Sequence, residues 1–127
     1  MHIEEALRDY LKKYPGLAAL VGDRVYRDHL PEQSVYPAVS FFAVSSPRHH
    51  QVDIAWPRYQ FDCWGKSPGE TAAVAEQIRH ALQRYKGVME GVPVIQGVFE
   101  NEIDLGRDPD EPVYHRTVDI KIIYEGV

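Results

Sequence analysis

Arg58-Tyr59-Gln60-Phe61-Asp62-Cys63-Trp64-Gly65-Lys66-Ser67-Pro68-Gly69-Glu70 carries two kinds of order in succession. As far as Trp64 the residues alternate. Tyr59, Phe61 and Cys63 share one side, and Arg58, Gln60, Asp62 and Trp64 share the other, which is the signature of a strand with one buried face. From Ser67 the order changes. Ser67 is a good N-cap, Pro68 suits the first helical position, and Glu70 completes a capping box. Thr71, Val74, Ala75, Ile78, Ala81, Leu82 and Tyr85 then recur at helical spacing, so the helix is predicted to run to about Tyr85, with Gly87 as its C-cap. A half-buried strand delivers the chain directly into an amphipathic helix.

Upstream, Ile3, Ala6, Leu7, Tyr10, Leu11 and Tyr14 make a second helical stripe, with Glu4 and Glu5 at its start and Lys12 and Lys13 at its end. Pro15-Gly16 stops it, and Leu17 to Val21 adds at most one more turn. Val25-Tyr26 is a short strand candidate. Ala38 to Ser45 is apolar at both alternating positions and reads as a strand buried on both faces. Ser46 to Pro57 reads as a long loop or hairpin connection. Downstream, Val92 to Leu105 and Pro112 to Tyr124 are extended. In the last strand Tyr114, Arg116, Val118, Ile120, Ile122 and Tyr124 share one side. His115, Thr117, Asp119 and Lys121 share the other, which is expected to be solvated or in an interface. The order α, β, β, β, α, β, β predicts an α+β fold. It has a mostly antiparallel sheet of about four to five strands and two helices packed on one face.

The 127 residues allow one domain, residues 1–127, and leave no room for a second core. Apolar residues at 44% and charged residues at 26% are ordinary globular usage. No stretch approaches the length of a membrane span, and the acidic start lacks the pattern of a secretory leader, so a soluble, intracellular domain is expected. The single cysteine excludes an intramolecular disulfide, and the net charge of −5 disfavours a generic phosphate-binding face.

The sequence carries little that points to catalytic chemistry. Gly65-Lys66-Ser67 looks like the end of a phosphate-binding loop, but Gln60 stands where that loop needs its first glycine. None of the six histidines forms a metal-binding pair on a helix, and the adjacent His49 and His50 point apart in extended chain. Neither a cofactor nor a metal is expected. Cys63, among Tyr59 and Phe61, reads as a buried thiol rather than a nucleophile. Arg79, Arg84 and Lys86 complement a helix dipole. Tyr36, Trp56 and Trp64 suit either base stacking or protein contacts. The most unusual stretch sets Glu100, Glu102, Asp104, Asp108, Asp110 and Glu111 against Arg107 alone. Regular extension would place Glu100, Glu102 and Asp104 on one face and Phe99, Ile103 and Leu105 on the other. Three like charges on one face need water or a basic partner.

Several phrases in order resemble the tail completion, or tail terminator-like, proteins of long-tailed phages and prophages. They are Ala18-Ala19-Leu20-Val21-Gly22-Asp23-Arg24-Val25-Tyr26, Leu30-Pro31, Tyr36-Pro37-Ala38-Val39, Phe61-Asp62-Cys63-Trp64-Gly65 with the following helix, and Tyr114-His115-Arg116-Thr117-Val118-Asp119-Ile120. The resemblance spans residues 3 to 125 and brings no catalytic motif. It implies a structural, non-enzymatic protein of the virion tail, assembled in the bacterial cytoplasm. Such a protein forms a ring, commonly sixfold, that caps the tail tube and offers a surface to the head–tail connector. The implied partners are other copies of the chain, the tail tube protein and the connector, with DNA only passing through the lumen and no membrane contact. Loops 46–57 and 104–112 become candidate contacts, with Trp56, Trp64, His49, His50, Arg107 and Asp108 as candidate interface residues. Glu100, Glu102 and Asp104 become a candidate lumen-facing acidic strip. The alternative from another class is a small-ligand-binding or enzymatic domain.

Overall fold

The computed structural model describes residues 2–126. It contains three helices, α1 (Ile3–Lys13), α2 (Pro15–Val21) and α3 (Pro68–Leu82). Its strands are β1 (Val25–Arg27), β2 (Ala38–Ser45), β3 (Ile54–Ala55), β4 (Arg58–Gly65), β5 (Gly87–Met89), β6 (Val92–Arg107) and β7 (Tyr114–Glu125). The fold is α+β, with one more helix and more strands than expected. The sheet order is β1-β2-β4-β7-β6-β5, and β3 pairs with the end of β7. All pairings are antiparallel except β1 with β2, which is parallel and so departs from a pure meander.

The helices share one core on one face of the sheet. Ile3, Leu7, Leu11, Leu17, Val21, Val74, Ile78 and Leu82 pack with Val39, Phe41, Tyr59, Phe61, Cys63, Val118, Ile120 and Ile122, all essentially inaccessible to water. Phe41 stacks on Phe61 at 5.3 Å between ring centroids and meets Tyr59 edge-on at 6.0 Å. Burying such aromatic side chains supplies much of the apolar area that drives folding. The Tyr10 hydroxyl of α1 donates to the Ala81 carbonyl of α3 at 2.8 Å. Burial there pushes the Tyr10 pKa up to about 12.

Local chemistry explains most boundaries. Ser67 Oγ accepts from the Glu70 N–H at 3.1 Å, while Glu70 Oε1 accepts from the Lys66 N–H at 2.8 Å, one residue before the cap. The α1 N-cap is His2, whose Nδ1 accepts from the Glu4 N–H at 3.1 Å. The segment after Pro15 is a full helix rather than a turn. Helix α3 ends at Leu82, not Tyr85, with Gln83 as cap. Arg84 and Tyr85 are drawn instead onto β6: the Arg84 N–H donates to the Gly97 carbonyl at 2.8 Å, and the Gly97 N–H donates to the Tyr85 carbonyl at 3.0 Å. Gly87 belongs to β5. The first half of β2 is buried, but Val44 and Ser45 are exposed, so the reading of a strand buried along its length fails at its end. No helix among the described residues is long and apolar enough to cross a membrane.

Candidate functional site

The sheet register divides the candidate residues between two poles. Strands β4 and β7 run antiparallel from Arg58 opposite Lys121 to Gly65 opposite Tyr114. The 46–57 connection therefore leaves the sheet at one end of β7 and the 108–113 connection at the other. Twelve residues of β7 separate the poles, a span of roughly 35 Å at strand rise.

At the first pole the connection is a hairpin rather than an open loop. The His49 N–H donates to the Ile54 carbonyl at 2.9 Å, the Trp56 N–H to the Pro47 carbonyl at 3.0 Å, and Ile54–Ala55 pairs with Tyr124–Glu125. His49 and His50 are exposed at the tip with their rings stacked at 5.3 Å, and Trp56 is half-buried at the base. A pocket of about 260 Å³ lies beneath, where Arg48, His2 and Glu4 face Tyr59. A groove of about 450 Å³ runs between Val52–Ile54 and Pro93.

At the second pole Arg107 is exposed and closes the register opposite Tyr114. The Asp108 carboxylate accepts from the Asp110 N–H at 2.8 Å, and its own N–H donates to the Val113 carbonyl at 2.8 Å. Both residues shape the turn. Trp64 is at this pole too, so the two tryptophans lie at opposite ends. Its ring stacks on His115 at 3.9 Å and its indole N–H donates to Ser40 Oγ at 3.1 Å.

Trp64 belongs to a polar network on the face away from the helices. His115 Nε2 lies 3.0 Å from Asp62 Oδ1, which also accepts from Gln60 Nε2 at 2.8 Å. Arg58 donates to Asp119 at 2.6 Å. Ser40, Asp62, Thr117 and Asp119 are buried on this face, which is therefore less solvated than alternation implied. Asp119 Oδ1 and Arg58 Nε remain without a hydrogen-bond partner.

The acidic residues of β6 do not share one face. Register shifts between Phe99 and Asn101 and between Asp104 and Gly106 mark bulges. A bulge adds a residue and resets the alternation. Glu100 consequently meets Lys121 on the polar face at 3.4 Å. Glu102 turns to the helix side, where Arg79 of α3 and Arg116 hold it at 3.1 and 2.8 Å. Asp104 receives a weaker contact from Arg116 at 3.4 Å. Periodicity could not reveal Arg79 and Arg116 as the partners of Glu102, because the clamp depends on the bulge.

Cys63 is fully buried, and burial pushes its thiol pKa far up. Among the described residues no group of three or more metal-ligating side chains gathers. Exposed apolar side chains instead occur on Val44 and Val52 toward the first pole and on Phe99, Ile103 and Leu105 along β6.

The chain shares its fold with a chain from the structure described as "Virion of native gene transfer agent (GTA) particle". The TM-score is 0.78 at 19% identity, covering 98% of this chain and 95% of the other. No curated protein matches the sequence. The family model for tail completion protein gp17 matches residues 5–125. The chain belongs to that family and is a structural protein of the bacteriophage virion tail.

Proposed function

We propose that the protein closes the head-proximal end of a tail tube as a ring of identical subunits, commonly six, and presents a surface to the head–tail connector. The observation that carries this reading is the separation of two unlike hairpin ends by the length of β7. A cap must bind different partners above and below, and a head-to-tail ring needs two different patches on each subunit. The first pole offers His49, His50 and Trp56, and the second offers Arg107, Asp108 and the remaining acids of the turn. The role requires no catalysis, and assembly in the host cytoplasm follows from it.

The polar face suits the wall of a passage for DNA. Among the described residues, the strand cations on this face are held by carboxylates, Arg58 by Asp119 and Lys121 by Glu100. A wall whose cations are already paired gives phosphates nothing to grip, and its acids repel them within about 10 Å at 0.1 M salt. Of the three acids proposed for the lumen, Glu100 lies on this face, while Glu102 and Asp104 lie on the helix side.

The experiment is complementation. Tails assembled without this protein, mixed with heads, should join only when the protein is added. Joining that proceeds equally without it would remove the reading.

A further inference from the structure

We infer that neighbouring subunits of the ring join by strand addition, with the free edge of β6 pairing antiparallel with the β2 edge of the next copy. This rests on the ring proposed above. Strand β5 covers β6 only at Val92–Val94, and Arg84 and Tyr85 cover Gly97. From Val98 to Arg107 no backbone group among the described residues pairs on that side. On the opposite edge of the sheet, β1 covers β2 only at Val39–Phe41, which leaves Phe42–Ser45 open. This edge is long and exposes Phe99, Ile103 and Leu105, and its bulges after Phe99 and after Asp104 confine regular pairing to the stretch that begins at Val98.

The occupant follows from direction and height. The three antiparallel steps from β2 through β4 and β7 to β6 make β2 and β6 run oppositely. A copy rotated about an axis along the strands thus offers β2 in the antiparallel sense. A closed ring has no rise between subunits, so edges of equal height meet. The registers set those heights. Ser45, Arg58, Lys121 and Val98 are level, and so are Phe42, Gln60, Asp119 and Asn101. The open segment 42–45 therefore faces the open segment 98–101. The step where β1 begins to cover β2, at Phe41, falls level with Glu102. The bulge between Phe99 and Asn101, which bends β6, lies beside that step.

The test uses the full chain with tail tubes. Ser45 and Val98 share the polar side of the sheet, so a Ser45→Cys/Val98→Cys variant should oxidise to a ladder of covalent oligomers ending at the ring size. Ser45→Cys/Val88→Cys is the control, because β5 is outside the interface, and it should give no ladder. Phe99→Pro is the second probe. The Gly97 N–H points away from β7, so two residues on the Phe99 N–H also points outward, and proline removes it without breaking the β6–β7 ladder. This variant should keep its far-ultraviolet spectrum and need at least tenfold higher concentration to assemble. Rings that form normally with neither ladder nor Phe99→Pro defect would overturn the edge assignment and leave the ring reading intact. A wild-type chain that forms no ring on tubes would overturn both. Loss of tube binding by Phe99→Pro without a ladder would give the edge to the tube protein instead.

Discussion

Gly97→Ala is the substitution for which the structure sets the sharpest expectation. A Cβ at Gly97 would lie 1.9 Å from the Leu82 carbonyl oxygen and 3.1 Å from its carbon. Those are backbone atoms, so no rotamer change relieves the overlap. Restoring ordinary contact requires the end of α3 and β6 to part by roughly 1.5 Å. That displacement stretches both hydrogen bonds between Gly97 and Arg84–Tyr85. Two weakened hydrogen bonds contribute about 1–2 kcal/mol and overpacking about 1–3 kcal/mol, a total near 3 kcal/mol. For a domain of this size that is a fall in Tm of about 11 °C. Calorimetry or thermal circular dichroism reads it directly. A Tm within 3 °C of wild type would refute the claim that this contact is rigid. Gly97→Ala should also weaken assembly, because it displaces β6 just before its open edge.

Three further outcomes follow from the electrostatics. Arg116→Ala leaves Glu102 half-desolvated with Arg79 alone, which should cost about 2 kcal/mol. In a double-mutant cycle Glu102→Gln should recover part of that loss, and strict additivity would show that the pair is not coupled. Glu100→Lys places a second cation beside Lys121 on the proposed passage wall. DNA ejection should slow at low salt and recover at high salt, whereas unchanged ejection from fully assembled particles would remove this face from the lumen. Raised folded-state pKa values at Tyr10, Tyr59 and Cys63 mean that the folded chain holds these protons more tightly than the unfolded chain. The Cys63 contribution is complete only below the ordinary thiol pKa of about 8.5 and the tyrosine contributions below about 10, and that of Tyr10 is lost as pH rises through about 12, so Tm should begin to fall above the thiol value and drop steeply between about pH 10 and 12. A Tm that stays flat to pH 12 would contradict the burial assigned to Tyr10.

The elements that local chemistry controls were legible in the sequence. Ser67-Pro68-Gly69-Glu70 announced α3, and the alternation of Tyr59, Phe61 and Cys63 announced the buried face of β4. The family phrases placed the chain in its lineage. The errors arose where distant residues decide. Helix α3 stops early because Gly97, a dozen residues on, captures Arg84 and Tyr85. Met89-Glu90-Gly91-Val92 is a two-residue hairpin turn with positive φ at Glu90 and Gly91, and it pairs Gly87 into β5 rather than leaving it as a helix cap. Unbroken period two would put the acidic strip on one face, and the bulge after Phe99 splits it between two. The division of Trp56 and Trp64 between opposite poles depends on register, which spacing alone does not supply.

The proposed role stands or falls on whether the protein forms a ring on the tail tube. Native mass of tube complexes, measured across protein concentration, tests it most directly. The expected mass is a fixed closed multiple of the subunit, at one end of each tube, whether or not the free chain is monomeric. A free monomer that leaves tube ends bare at every concentration would contradict it.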